Sequence, residues 1–159
     1  MISRTIVIGA AALALAGCNP FHRSPAVEMS AADANLNTRW NGTIASPASL
    51  AGVVQMSGSA TMAPGGERMT HVRVDLTNAT PGGEHPWGLH RGQCDYDEGL
   101  VGDRSEYGPV KVGGDGRAHA SANVDLYTPT SGRFAVRVMA SAANPNTIVA
   151  CANLAPPAN

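Results

Sequence analysis

Two histidines, one methionine and a pair of cysteines are the residues of this chain whose types and spacing can do chemistry. His71 and His90 lie on two segments of alternating apolar and polar residues, 69–77 and 86–91, with Pro81-Gly82 between them. Pairing these segments as a hairpin about that turn, with faces matched, sets His71 opposite His90 and Arg73 opposite Gly88. Two outward imidazoles joined by a thioether such as Met139 make a set soft enough for Cu(I). His85, at the start of the second segment, reads as a turn residue. The stretch 91–109 carries Asp95, Asp97, Glu98 and Asp103 among glycines. Their spacing is not that of a calcium loop, so they read as a solvated acidic loop. No Ser/His/Asp arrangement or phosphate-cradling loop stands in the right context. Gly113-Gly114-Asp115-Gly116 precedes a strand-like segment and not a helix.

The elements that must position these residues read as short strands. Val72, Val74 and Leu76 alternate with His71, Arg73 and Asp75. Ala118, Ala120, Ala122 and Val124 alternate with His119, Ser121 and Asn123. Phe134, Val136 and Val138 alternate with Ala135, Arg137 and Met139. Dense turn signals, among them Pro64-Gly65-Gly66, Pro81-Gly82-Gly83 and Asn144-Pro145-Asn146, separate them. Six to eight such strands predict an all-β fold, an antiparallel sandwich or flattened barrel. The alternation turns one face of each strand inward and leaves the other to solvent or a loop, with 91–109 as a long loop between strands.

The chain has 159 residues, with 11 Lys+Arg against 12 Asp+Glu. That balance argues against nucleic acid as a partner, which calls for a clustered basic face. Residues 1–17 combine Arg4, a short apolar run and Leu15-Ala16-Gly17 before Cys18. The run is too short to span a bilayer and reads as a signal peptide. Its end resembles the lipobox of bacterial lipoproteins; the other reading is an ordinary secretory signal with a chance cysteine. The resemblance implies that Cys18 carries acyl chains, making the membrane a partner through that anchor. Asn19 at the next position favours a bacterial outer-membrane anchor, with the protein facing the periplasm. Residues 18–37 read as a tether, or as a short amphipathic helix over 26–34, and 38–159 as the folded domain. Setting Cys18 aside leaves Cys94 and Cys151, an even pair in an oxidising compartment, which reads as a disulfide closing about 60 residues.

The run Thr80-Pro81-Gly82-Gly83-Glu84-His85-Pro86-Trp87-Gly88-Leu89-His90-Arg91-Gly92-Gln93-Cys94 resembles the copper-binding segment of Cu/Zn superoxide dismutases. There a turn leads into a strand bearing His-x-His, then a loop with a disulfide cysteine. Ile148-Val149-Ala150-Cys151 resembles the segment of that cysteine's partner, and Gly114-Asp115-Gly116-Arg117-Ala118 the turn after the metal loop. The resemblance spans about Val53 to Leu154 and implies the dismutase-like Greek-key β-fold. Its chemistry departs from the pattern. Gly88 stands where the first histidine of His-x-His belongs, Met139 where a later copper histidine belongs, and Ile148 where an arginine attracts the substrate. The stretch 95–108 holds no histidine for a bridging or zinc site. Of the copper ligands, His90 alone carries over.

These readings converge on an envelope lipoprotein with a dismutase-like domain whose copper and zinc set is largely missing. It is expected to be a non-catalytic binding or structural module without a resident cofactor, its protein partner unidentified by the sequence. The alternatives are a superoxide dismutase with a reduced copper site, or a Cu(I)-handling protein using His71, His90 and Met139. Whether it is an enzyme is left open, and copper is the cofactor at issue.

Overall fold

A computed structural model describes residues 38–157; the signal peptide, the lipid-bearing Cys18 and the tether expected before residue 38 lie outside the described residues. The ten strands are β1 (Trp40–Ala45), β2 (Ser57–Gly66), β3 (Met69–Thr77), β4 (Glu84–His85) and β5 (Trp87–Gln93), then β6 (Tyr96–Leu100), β7 (Val110–Lys111), β8 (Ala118–Asp125), β9 (Phe134–Ser141) and β10 (Asn144–Leu154). Eight of them form one antiparallel sheet in the order β6-β5-β9-β10-β1-β2-β3-β8, curled into a half-barrel, and β4 pairs with β7. The all-β expectation holds.

The curl gathers the inward face of every strand into one core. Val72, Val74 and Leu76 from β3 meet Trp87 and Leu89 from β5 and Val136 and Val138 from β9, all essentially inaccessible. Trp40 stands edge-on to Phe134 and Trp87 edge-on to Tyr107, with ring centroids 5.4 and 5.2 Å apart. Each indole N–H donates to a carbonyl, Trp40 to Pro129 and Trp87 to Gly108, both at 2.7 Å. The two large side chains therefore bury area without stranding a donor.

The expected hairpin between β3 and β5 does not form. β3 lies between β2 and β8, and His71 faces Ala63 and Asn123 across the two ladders. β5 lies between β6 and β9, so His90 faces Leu100 and Ala135. The physical cause is where residues 78–85 send their backbone bonds. The Ala79 amide donates to Gly116, the Gly82 amide to Val112, and Glu84 and His85 pair with Lys111 and Val110. The Pro81-Gly82 turn thus belongs to a crossover that docks on 110–116 and carries the chain to the far side of the sheet.

The stretch 91–109 is also more ordered than a long loop. β6 folds back on β5 in a tight turn that requires Gly92: its φ is +96°, and a Cβ there would run into the Tyr96 carbonyl. Farther on, Asp103 and Glu106 close a capping box around the single helical turn Arg104–Glu106. The expected disulfide is present: Cys94 in the β5–β6 turn is bonded to Cys151 on β10, with Cα atoms 5.9 Å apart.

Candidate functional site

The second face of β5 and β9 is not left to solvent. On β5, Trp87 and Leu89 point into the core, so Gly88 and His90 point the other way, and both are buried. On β9, Arg137 and Met139 share that opposite face and are only 7% and 4% exposed. Arg137 and Gly88 are direct neighbours across the β5–β9 ladder. Asp97 of β6, Arg104, and Pro145, Asn146 and Ile148 of β10 close over them, leaving a cleft of about 180 Å³.

An ion-pair network builds the floor of this cleft. His90 Nδ1 lies 3.0 Å from Asp97 Oδ1, and Arg137 Nη1 lies 2.8 Å from Asp97 Oδ2. A second Arg137 nitrogen donates to the Gln93 carbonyl at 2.6 Å, and the Gly99 amide donates to Asp97 at 2.8 Å. A carboxylate only accepts, so the Nδ1 proton of His90 sits on this bond and Nε2 presents a bare lone pair. That Nε2 and the Nε of Arg137 are buried with no protein partner.

Burial pushes the His90 pKa below the usual imidazole value, helped by the charges of Arg137 and Arg104, and Asp97 opposes this only in part. For Asp97, burial works upward, yet the Gly99 amide, the His90 bond and the Arg137 charge together hold its carboxyl below the usual range. Both folded-state values are lowered, so both groups contribute stability at neutral pH that acid removes. The His90 contribution is complete above the ordinary histidine pKa near 6.5 and is lost as pH falls through its lower folded value. The Asp97 contribution is lost only below about 3.8. Denaturant unfolding between pH 7 and pH 3 is expected to show the first loss in the parent chain and not in His90→Gln.

The structure brings two of the three expected metal ligands together and leaves the third elsewhere. His90 and Met139 line one cleft. His71 lies on β3, its Nδ1 2.8 Å from the Asn123 side chain, away from that cleft because β3 and β5 are not paired. His85, on β4, does not line the cleft, and its Nδ1 lies 3.1 Å from the Met139 carbonyl. Asp97, Arg137 and Arg104 complete the cleft, and they were not legible as partners. Arg137 did carry a signal, since alternation puts it on the Met139 side. Asp97 carried none beyond its place in an acidic stretch.

The residues present do not fit a dismutase metal set. A Cβ at Gly88, where the first copper histidine would stand, runs into Leu100 Cδ1 and lies 3.6 Å from His90 Nε2. The space for that ligand is filled by the β6 side chain. Gly88→Ala is therefore expected to cost about 1–2 kcal/mol in chemical denaturation, because the end of Leu100 must swing aside. Among the described residues no group of three His, Cys, Asp or Glu side chains is arranged to hold a metal ion. No protein-family model matches the chain, and no curated protein matches it significantly.

Proposed function

We propose that this protein is a lipid-anchored bacterial envelope module, built on a Cu/Zn superoxide dismutase-like Greek-key domain, that binds a ligand in the His90 cleft and does not turn over superoxide. The strand order supports the dismutase-like reading. β8 returns beside β3, β9 beside β5, and β10 closes back onto β1, so hairpin neighbours alternate with strands brought together from far apart in sequence. The disulfide from the β5–β6 turn to the last strand also stands where the resemblance puts one. The observation that carries the non-catalytic part is Leu100 in the space of the missing ligand, with His90 Nδ1 committed to Asp97. A copper ion cycling between oxidation states needs a mainly imidazole set, and a single imidazole nitrogen cannot supply it.

A second reading has its own support. His90 Nε2 is unpartnered and Met139 lines the same cleft, which is a two-ligand start for Cu(I) handling without turnover. The test is the full-length chain in detergent, loaded with copper and zinc and assayed for metal content and superoxide turnover. The binding module predicts no turnover above background and less than one retained copper per chain. Stoichiometric copper without turnover favours the Cu(I) reading. Turnover at dismutase rates, lost in His90→Gln, overturns the proposal.

A further inference from the structure

The ligand of the His90 cleft can be narrowed from the groups that line it. Arg137 spends two guanidinium nitrogens on Asp97 and the Gln93 carbonyl, and its Nε–H has no partner. His90 spends Nδ1 on Asp97, and its Nε2 has none. Both side chains are more than nine-tenths buried and neither orphaned atom is open to water, so each goes unbonded unless a ligand group presses into the cleft floor to reach it. Arg104 stands exposed at the mouth, its guanidinium 3.4 Å from the Trp87 carbonyl and paired with no described carboxylate. Two arginines against the one carboxylate of Asp97 leave the lining with an excess positive charge. The unmet demands are thus a buried donor on a cation, an outer cation, and one buried acceptor.

We propose that the cleft binds a small oxyanion that keeps one O–H beside its charge, of the hydroxycarboxylate class. Its charged oxygens face Arg137 and Arg104, and its hydroxyl donates to His90 Nε2. This assignment rests on the binding-module reading above. A cleft of about 180 Å³ admits a ligand of a few heavy atoms. A carboxylate without a hydroxyl leaves the imidazole lone pair unmet, which sets the discrimination. Leaving one buried hydrogen-bonding group unpaired is worth about a tenfold loss in affinity.

The test titrates the full-length chain, with isotope-labelled histidine, against glycolate and against acetate, which has the same charge and no O–H. Glycolate is expected to bind about tenfold tighter than acetate and to move the His90 Nε2 resonance. Arg104→Gln, at an exposed position where folding is not at stake, is expected to weaken both anions several-fold. His90→Gln is expected to abolish the preference for glycolate. Equal affinities for the two anions, or a His90 resonance unmoved by saturating glycolate, overturn the ligand assignment. Superoxide turnover by the copper-loaded chain would instead overturn the binding-module reading, so the two failures are told apart.

Discussion

Replacing Cys94 and Cys151 together by alanine is expected to lower the unfolding free energy by about 4 kcal/mol. The bridge closes a segment of 57 residues, and confining the unfolded chain to that loop is what stabilises the fold in the chain-entropy account. For a domain whose total stability is about 5–15 kcal/mol, this is a large fraction. At roughly 4 °C per kcal/mol, the thermal midpoint should fall by roughly 15 °C. The position of the bridge adds a local effect. It ties the β5–β6 turn to β10, across β9, and Asp97 follows directly on that turn. The remaining tie is the Cys94 amide donating to the Asn153 side chain at 2.7 Å. Losing the bridge should therefore loosen Asp97 against His90 and Arg137 before the sheet as a whole opens. Amide exchange is the check. Protection in β6 should drop by more than in β2 or β3, beyond the global change. A uniform drop, or a midpoint within a few degrees of the parent, would contradict the mechanism.

The strands were legible because their signal is local. The alternation at 72–76, 118–124 and 134–138 is the pleat itself, and each of those segments is a strand. The disulfide was legible because, with Cys18 assigned to the anchor, two cysteines allow one pairing. The pairing of β3 with β5 was misread for a physical reason. A Pro-Gly turn after a strand has the same local chemistry whether the chain folds back or crosses over. What decides it here is the bonding of Ala79 and Gly82 to 112–116, some 30 residues on. The cleft was illegible for a related reason. A polar residue at every second position reads as a solvent face, yet His90 and Arg137 sit under Leu100, Asp97 and the 145–148 segment of β10. No periodicity within β5 or β9 records that roof. Asp97 looked like one more acidic loop residue because its partners lie on β5 and β9, at 7 and 40 residues' remove in sequence. Such contacts exist only once the sheet order is set.

Asp97 carries the second large effect: Asp97→Ala is expected to destabilise the fold by about 2 kcal/mol. Removing one partner of a buried pair strands the other, and a fully buried charge left alone costs about 3–5 kcal/mol. Arg137 is 8% exposed, but Asp97 itself is 40% exposed, so water can follow into the gap and the lower figure applies. Asp97→Asn should cost somewhat less, since an amide oxygen still accepts from His90 and from the Gly99 amide, although the NH2 that replaces the other oxygen cannot accept from Arg137 and that bond goes with the charge. It should also erase the acid step below about pH 3.8. The discriminating measurement is the double-mutant cycle with Arg137→Met, read by chemical denaturation. Once Arg137 is apolar there is no stranded cation, so Asp97→Ala on that background should cost well under half of what it costs alone. The residual cost then reports the His90 bond. Strict additivity would mean that Asp97 and Arg137 do not share the network, and that the positive character assigned to the cleft has another source.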